Sequence, residues 1–204
     1  MNASTPLLDI QHLHKSFGGL KAVQDVSLQV PEGSLTALIG PNGAGKTTLF
    51  ALMSGFLKPD SGCVQYASQD ITGQSPERNA RLGLTRTFQI VQPFAAQTVR
   101  ENIAVGAHLH LASRREALAS DLTVAGRKRL EMARALATRP RLLLLDEVLA
   151  GLNPQEIAEM IPVVRDIARS GVTVLMIEHV MQAVMSLAEQ VWVLAQGQLI
   201  AHGT

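Results

Sequence analysis

Gly40-Pro41-Asn42-Gly43-Ala44-Gly45-Lys46-Thr47-Thr48 follows an apolar run, Leu35 to Ile39, and opens a helical pattern. Strand, glycine-rich loop, Lys-Thr pair and helix in that order read as a phosphate-binding P-loop. Glycines let the backbone curl so that several N–H groups face one concavity, the helix N-terminus adds partial positive charge, and Lys46 adds a full one. Triphosphate oxygens fit that field, which makes Asn42, Gly43, Gly45, Lys46, Thr47 and Thr48 the candidate phosphate contacts. Thr47 also carries the hydroxyl that such loops place on a magnesium ion. A glycine-rich turn without a ligand is the plainer reading, and it leaves that order of features unexplained.

Well downstream, the apolar run Leu142 to Leu145 ends in Asp146-Glu147. A Mg-nucleotide site needs a carboxylate on the metal and a base or orienter for the attacking water, so Asp146 is the expected metal ligand and Glu147 the expected base. Taken alone, the pair could be two ordinary acids at a strand end. His179 follows a second apolar run, Val172 to Ile177, and a parallel neighbour would bring it to the same carboxyl edge of the sheet, within reach of a γ-phosphate. A lone histidine is more often structural. Gln89, after Thr85 to Phe88, is likewise a lone polar residue at a strand end that could bridge magnesium and a mobile segment.

The flanking pattern predicts an α/β fold. Leu8, Ile10 and Leu13 with Val26, Leu28 and Val30 form short strands around the turn Phe17-Gly18-Gly19, and a hairpin passes through Cys63 to Tyr66. Helices are expected from Lys46 to Phe56, Pro76 to Leu82, Arg129 to Ala137, Glu156 to Arg169 and Val180 to Leu187. Thr98 to Leu111 is helical in pattern but interrupted by Gly106. Leu142 to Leu145 is a continuous apolar strand of the kind buried on both faces, which implies a parallel sheet, with Val172 to Ile177 a second apolar strand and Thr85 to Phe88 another buried one. Val191 to Leu194 and Leu199-Ile200 close on a Gln196-Gly197 hairpin.

Composition narrows the function classes. The 204 residues can bury one good core, and a net charge of +1 with 17% charged residues gives no footprint for nucleic acid. Arg127-Lys128-Arg129 reads as the solvated side of a helix. Cys63 is the single cysteine and cannot form an internal disulfide. The apolar stretches are too short to span a bilayer, so a membrane role has to come through partner proteins.

Taken together these residues resemble the ATP-binding subunits of ABC transporters, from about Leu7 to the C-terminus. Gly40 to Thr48, Gln89 as the Q-loop, Leu142 to Glu147 as Walker B and His179 as the switch histidine occur in that family's order. The resemblance places Phe17 against adenine with Val23 as a second apolar wall, and Ala150 to Asn153 as the loop that crosses to a second ATPase. Phe17 to Val23, Asp70 to Gly73, Arg86 to Gln89 and Gly151 to Pro154 are similar to the branched-chain amino acid importer ATPases. It implies ATP and Mg2+ as cofactors and ATP hydrolysis that drives import. The implied partners are permease subunits, a second ATPase and, indirectly, a solute-binding protein, at the cytoplasmic face of the inner membrane. A soluble ABC ATPase without permeases, a lipid or lipopolysaccharide exporter ATPase and a nonhydrolytic binding partner are the competing readings.

Two departures stand out. The family's Leu-Ser-Gly-Gly-Gln segment corresponds to Leu122-Thr123-Val124-Ala125-Gly126, where Thr123 keeps the hydroxyl and Ala125 the backbone N–H. There Val124 and Ala125 put Cβ atoms where glycine would allow closest approach to the opposite subunit's phosphate. The other departure is length. One ABC ATPase domain over 1–204 is implied, with a P-loop NTPase core at 1–89 and 127–204 and an N-terminal antiparallel β subdomain. Its helical subdomain, about 90–126, is shortened or lacks residues, and Ala119-Ser120-Asp121 carries no turn signal.

Overall fold

The computed structural model describes residues 5–88, 98–102 and 118–204. Two sheets carry the chain. β1 (Leu8–Phe17) and β2 (Leu20–Val30) form an antiparallel pair, joined by β4 (Ser61–Tyr66) and β5 (Gln69–Asp70) in the order β2-β1-β4-β5. The β4–β5 turn uses Ala67 and Ser68, both at positive φ (49 and 63), where glycine or asparagine is the usual choice. The second sheet runs β10-β9-β3-β8-β7-β6. Here β3 is Leu35–Ile39, β6 Leu84–Arg86, β7 Leu142–Asp146, β8 Thr173–Ile177, β9 Gln190–Ala195 and β10 Gln198–Gly203. All its pairings are parallel except β9 with β10.

The four leucines of β7 show why that run is continuous. Leu143 and Leu145 face the core beneath α4 (Val124–Ala137), α5 (Pro154–Arg169) and α6 (Met181–Leu187). Leu142 and Leu144 face the other core, shared with α1 (Lys46–Ser54) and the antiparallel sheet. A strand covered on both sides has no face left for polar residues. β8 divides the same way, with Val174 and Met176 on one side and Leu175 and Ile177 on the other.

Three short elements complete the described residues: α2 (Pro76–Arg81), α3 (Val99–Asn102) and a 3-10 turn at Ala119–Asp121. That turn stands where no turn signal was read, and Leu118 just before it forms a β-bridge with Thr98. The helical pattern expected to Leu111 is seen only over Val99–Asn102; residues 103–117 lie outside the described residues.

Helix α4 begins five residues before the expected Arg129. The Thr123 hydroxyl accepts the Gly126 N–H at 3.1 Å and so caps the helix, which makes the Val124-Ala125-Gly126 stretch its first turn. This corrects the reading of Arg127-Lys128-Arg129 as a solvated face. Arg127 is exposed, Arg129 pairs with Glu159 at 3.0 Å, and Lys128 is buried at 6% exposure.

Candidate functional site

Register brings the chemistry to one edge. Leu38 of β3 and Asp146 of β7 both pair with Ile177 of β8, so the residues just past these strand ends share the carboxyl edge of the sheet. There a cleft of about 1140 Å³ is lined by Gly40 to Thr48, by Phe17 and Leu20 to Ala22, and by Glu147, His179 and Gln196. Asn42, Gly43, Gly45, Lys46, Thr47, Thr48, Phe17, Glu147 and His179 thus meet in one cavity.

The cradle itself is tight. Lys46 is buried, and its ammonium donates to the carbonyls of Gly40 at 2.8 Å and Pro41 at 3.0 Å, which pins the loop and leaves a third N–H. No acidic side chain stands in the first turn of α1, so its positive end is uncompensated. Gly45, the helix N-cap, has φ 101, and a Cβ there would sit 2.2 Å from the carbonyl oxygen of Ala22. Gly45→Ala is therefore expected to cost about 2 kcal/mol or more through backbone strain and displacement of β2. A melting point lower by roughly 4–8 °C in calorimetry, with loss of ATP binding in titration, is the expected result.

The turn between β9 and β10 closes one side. Gly197 donates its N–H to Ala44 at 2.9 Å, and the Gln24 side chain donates to the Gln196 carbonyl at 2.7 Å. Phe17 stands at the rim, 46% exposed, with the Lys15 ammonium 5.7 Å from its ring centroid.

Other expected residues fall elsewhere. Val23 is buried in the core at 1% exposure and does not line the cleft; Leu20 and Ala22 form that wall instead. Thr123 and Ala125 lie on α4, away from the cleft lining. The Ala125 side chain is buried at 7%, so of the two Cβ atoms it is that of Val124, 53% exposed, that faces outward. Gln89 lies outside the described residues.

Asp146 is 1% exposed beneath the cleft, and its Oδ2 accepts from Arg86 at 2.7 Å. The guanidinium in turn lies 5.4–5.9 Å from the ring centroids of Phe50, Phe56 and Phe88, a setting that favours a cation. The other oxygen, Oδ1, is buried without a hydrogen-bond partner. An orphaned carboxylate oxygen beside a phosphate cradle is what a magnesium ion or its bound water would satisfy, since this metal takes one or two protein oxygens with substrate phosphates. Among the described residues no cluster of three or more His, Cys, Asp or Glu could hold a metal by itself.

Two buried residues behind the site, Lys128 and Glu178, carry no motif signal, and the pairing of Arg86 with Asp146 carries none either. Burial pushes the Glu178 carboxyl up and the Lys128 ammonium down from their ordinary ranges. Glu178, an acid directly after the apolar run Val172 to Ile177, is the one of these that its sequence setting could have found, whereas Lys128 stands between two arginines.

Known proteins resemble this chain over nearly its whole length. The family model described as ABC transporter matches residues 23–150. The chain is 38% identical to BraF of Pseudomonas aeruginosa, a high-affinity branched-chain amino acid transport ATP-binding protein, over 98% of this chain and 92% of the relative. It is 36% identical to LivG of Escherichia coli K12, which bears the same description, with the same coverage. Both alignments span 236 positions against 204 residues here, so the relatives carry residues that this chain lacks. Among solved structures, the ADP conformation of MJ1267, an ATP-binding cassette of an ABC transporter, superposes with a TM-score of 0.92 at 31% identity, covering 98% of this chain and 91% of that one. A nucleotide-free ATP-binding cassette from an ABC transporter gives 0.91 at the same identity and coverage.

Proposed function

This chain belongs to the ABC transporter family of ATP-binding subunits, and from that premise we propose that it drives uptake of branched-chain or related amino acids through membrane permeases. It is an ATPase whose hydrolysis powers import. The observation that carries the residue roles is the convergence of the Gly40–Thr48 cradle, Glu147 and His179 on one cleft.

In this reading the loop N–H groups and Lys46 bind the phosphates, and Phe17 stacks on the adenine. Thr47 and Asp146 would hold magnesium, with Gln89 as a further ligand, and a metal held there would supply positive charge against the phosphates. Glu147 accepts the proton of the attacking water, and His179 contacts the γ-phosphate from the end of β8. Thr123 and the backbone N–H of Ala125 cap the nucleotide of a second ATPase subunit. The outward Cβ of Val124 loosens that cap relative to glycine.

Among the described residues no helix is long and apolar enough to cross a membrane. Peripheral placement on the cytoplasmic face, held by permeases and served outside by a solute-binding protein, follows from an import role. The similarity to BraF and LivG favours this reading over a permease-free ATPase or a lipid exporter. The test is reconstitution with cognate permeases and binding protein in proteoliposomes. ATP-dependent accumulation of labelled leucine, isoleucine or valine is the expected result, and ATP-driven uptake confined to another solute class would overturn the substrate assignment.

A further inference from the structure

The residue that carries the reacting carboxylate has a left-handed backbone, with φ 48 at Glu147. Polar groups hold it on both peptide sides. Its N–H donates to the Ile177 carbonyl at 3.0 Å, and its own carbonyl accepts from Ala150 N–H at 3.2 Å and from the Lys128 ammonium at 3.1 Å. Two residues on, the Leu149 N–H donates at 2.9 Å to Oε1 of Glu178, which is 1% exposed. The other Glu178 oxygen is buried with no hydrogen-bond partner. Glu178 is also the foremost of the acidic groups acting on Lys128, ahead of Glu147, Asp146 and Glu131.

Two buried charges therefore converge on one turn, and neither lines the nucleotide cleft. A buried lysine and glutamate are expensive to keep where apolar residues would serve packing alone. We infer that Lys128 and Glu178 are positioning residues for Glu147, Lys128 fixing the peptide that aims its carboxylate and Glu178 fixing the following turn while compensating the buried ammonium. The inference rests on Glu147 as the base.

The test separates positioning from packing. In the reconstituted transporter, Lys128→Met keeps the aliphatic stem and removes the donor; turnover is expected to fall roughly 10–100-fold while ATP affinity stays within about twofold, as misaimed reacting groups cost rate rather than binding. Lys128→Arg restores most of the turnover. Glu178→Gln, which keeps an acceptor for Leu149, lowers turnover less, and combining it with Lys128→Met costs little further because the two act as a unit. Turnover within twofold of normal in Lys128→Met, loss of ATP affinity along with turnover, or no rescue by arginine would each overturn the inference. Glu147→Gln is measured beside them. Normal hydrolysis by that variant sinks the reading of Glu147 itself, whereas its inactivity beside a normal Lys128→Met removes only the positioning role.

Discussion

Lys46→Ala is expected to lower ATP hydrolysis by at least about 100-fold, since charge-assisted hydrogen bonds to phosphate are worth roughly 1.5–3 kcal/mol each and tenfold corresponds to about 1.4 kcal/mol. Two effects add. The ammonium is the one full positive charge among the cleft-lining P-loop residues, and it also bridges the carbonyls of Gly40 and Pro41, so its removal leaves the cradle both less positive and less tightly held. Lys46→Met divides these from simple packing, because it fills the same buried volume without charge or donor. Isothermal titration should show weakened ATP binding in both variants, and turnover should fall alike in both. Near-normal hydrolysis by Lys46→Met would mean that the loop amides alone carry the phosphates.

The main architecture was legible because its signals are strong where burial is complete. Leu142 to Leu145 announces a strand covered on both faces, and the P-loop announces the strand, turn and helix around it. Misreadings arose where a local device resets the pattern. Strict alternation back from Val26 would put Ala22 inward and Val23 outward, but the register shift between Leu13 and Lys15, where Asp25 has φ 53 and lies across from His14, turns Val23 into the core. Helix α4 starts early because Thr123 caps it, a role that competes with reading Thr123 only as a phosphate contact. Buried charges were the least legible of all. Arg86, Lys128 and Glu178 have their partners at sequence separations of 60, 19 and 29 residues, and no spacing rule spans such distances.

Glu147→Gln is the sharper of the two cleft substitutions, because it should separate binding from chemistry. The amide keeps the size and shape of the side chain, and the backbone that carries it is anchored by Ile177, Ala150 and Lys128 through main-chain atoms that the substitution does not touch. The Gly40–Thr48 loop that lines the cleft is likewise unaltered. Only the capacity to take a proton from water is lost, which for a positioned general base is worth roughly 10²–10⁴-fold in rate. In the proposed mechanism, binding of ATP favours the closed pair of subunits, and hydrolysis removes that bias. The variant should therefore accumulate as an ATP-loaded dimer, visible by size-exclusion chromatography with retained nucleotide, whereas Lys46→Ala should stay unpaired under the same conditions. Should Glu147→Gln turn over ATP at the normal rate, the proton would have to go to another group in the cleft; His179, exposed at the end of β8, is then the acceptor to replace next.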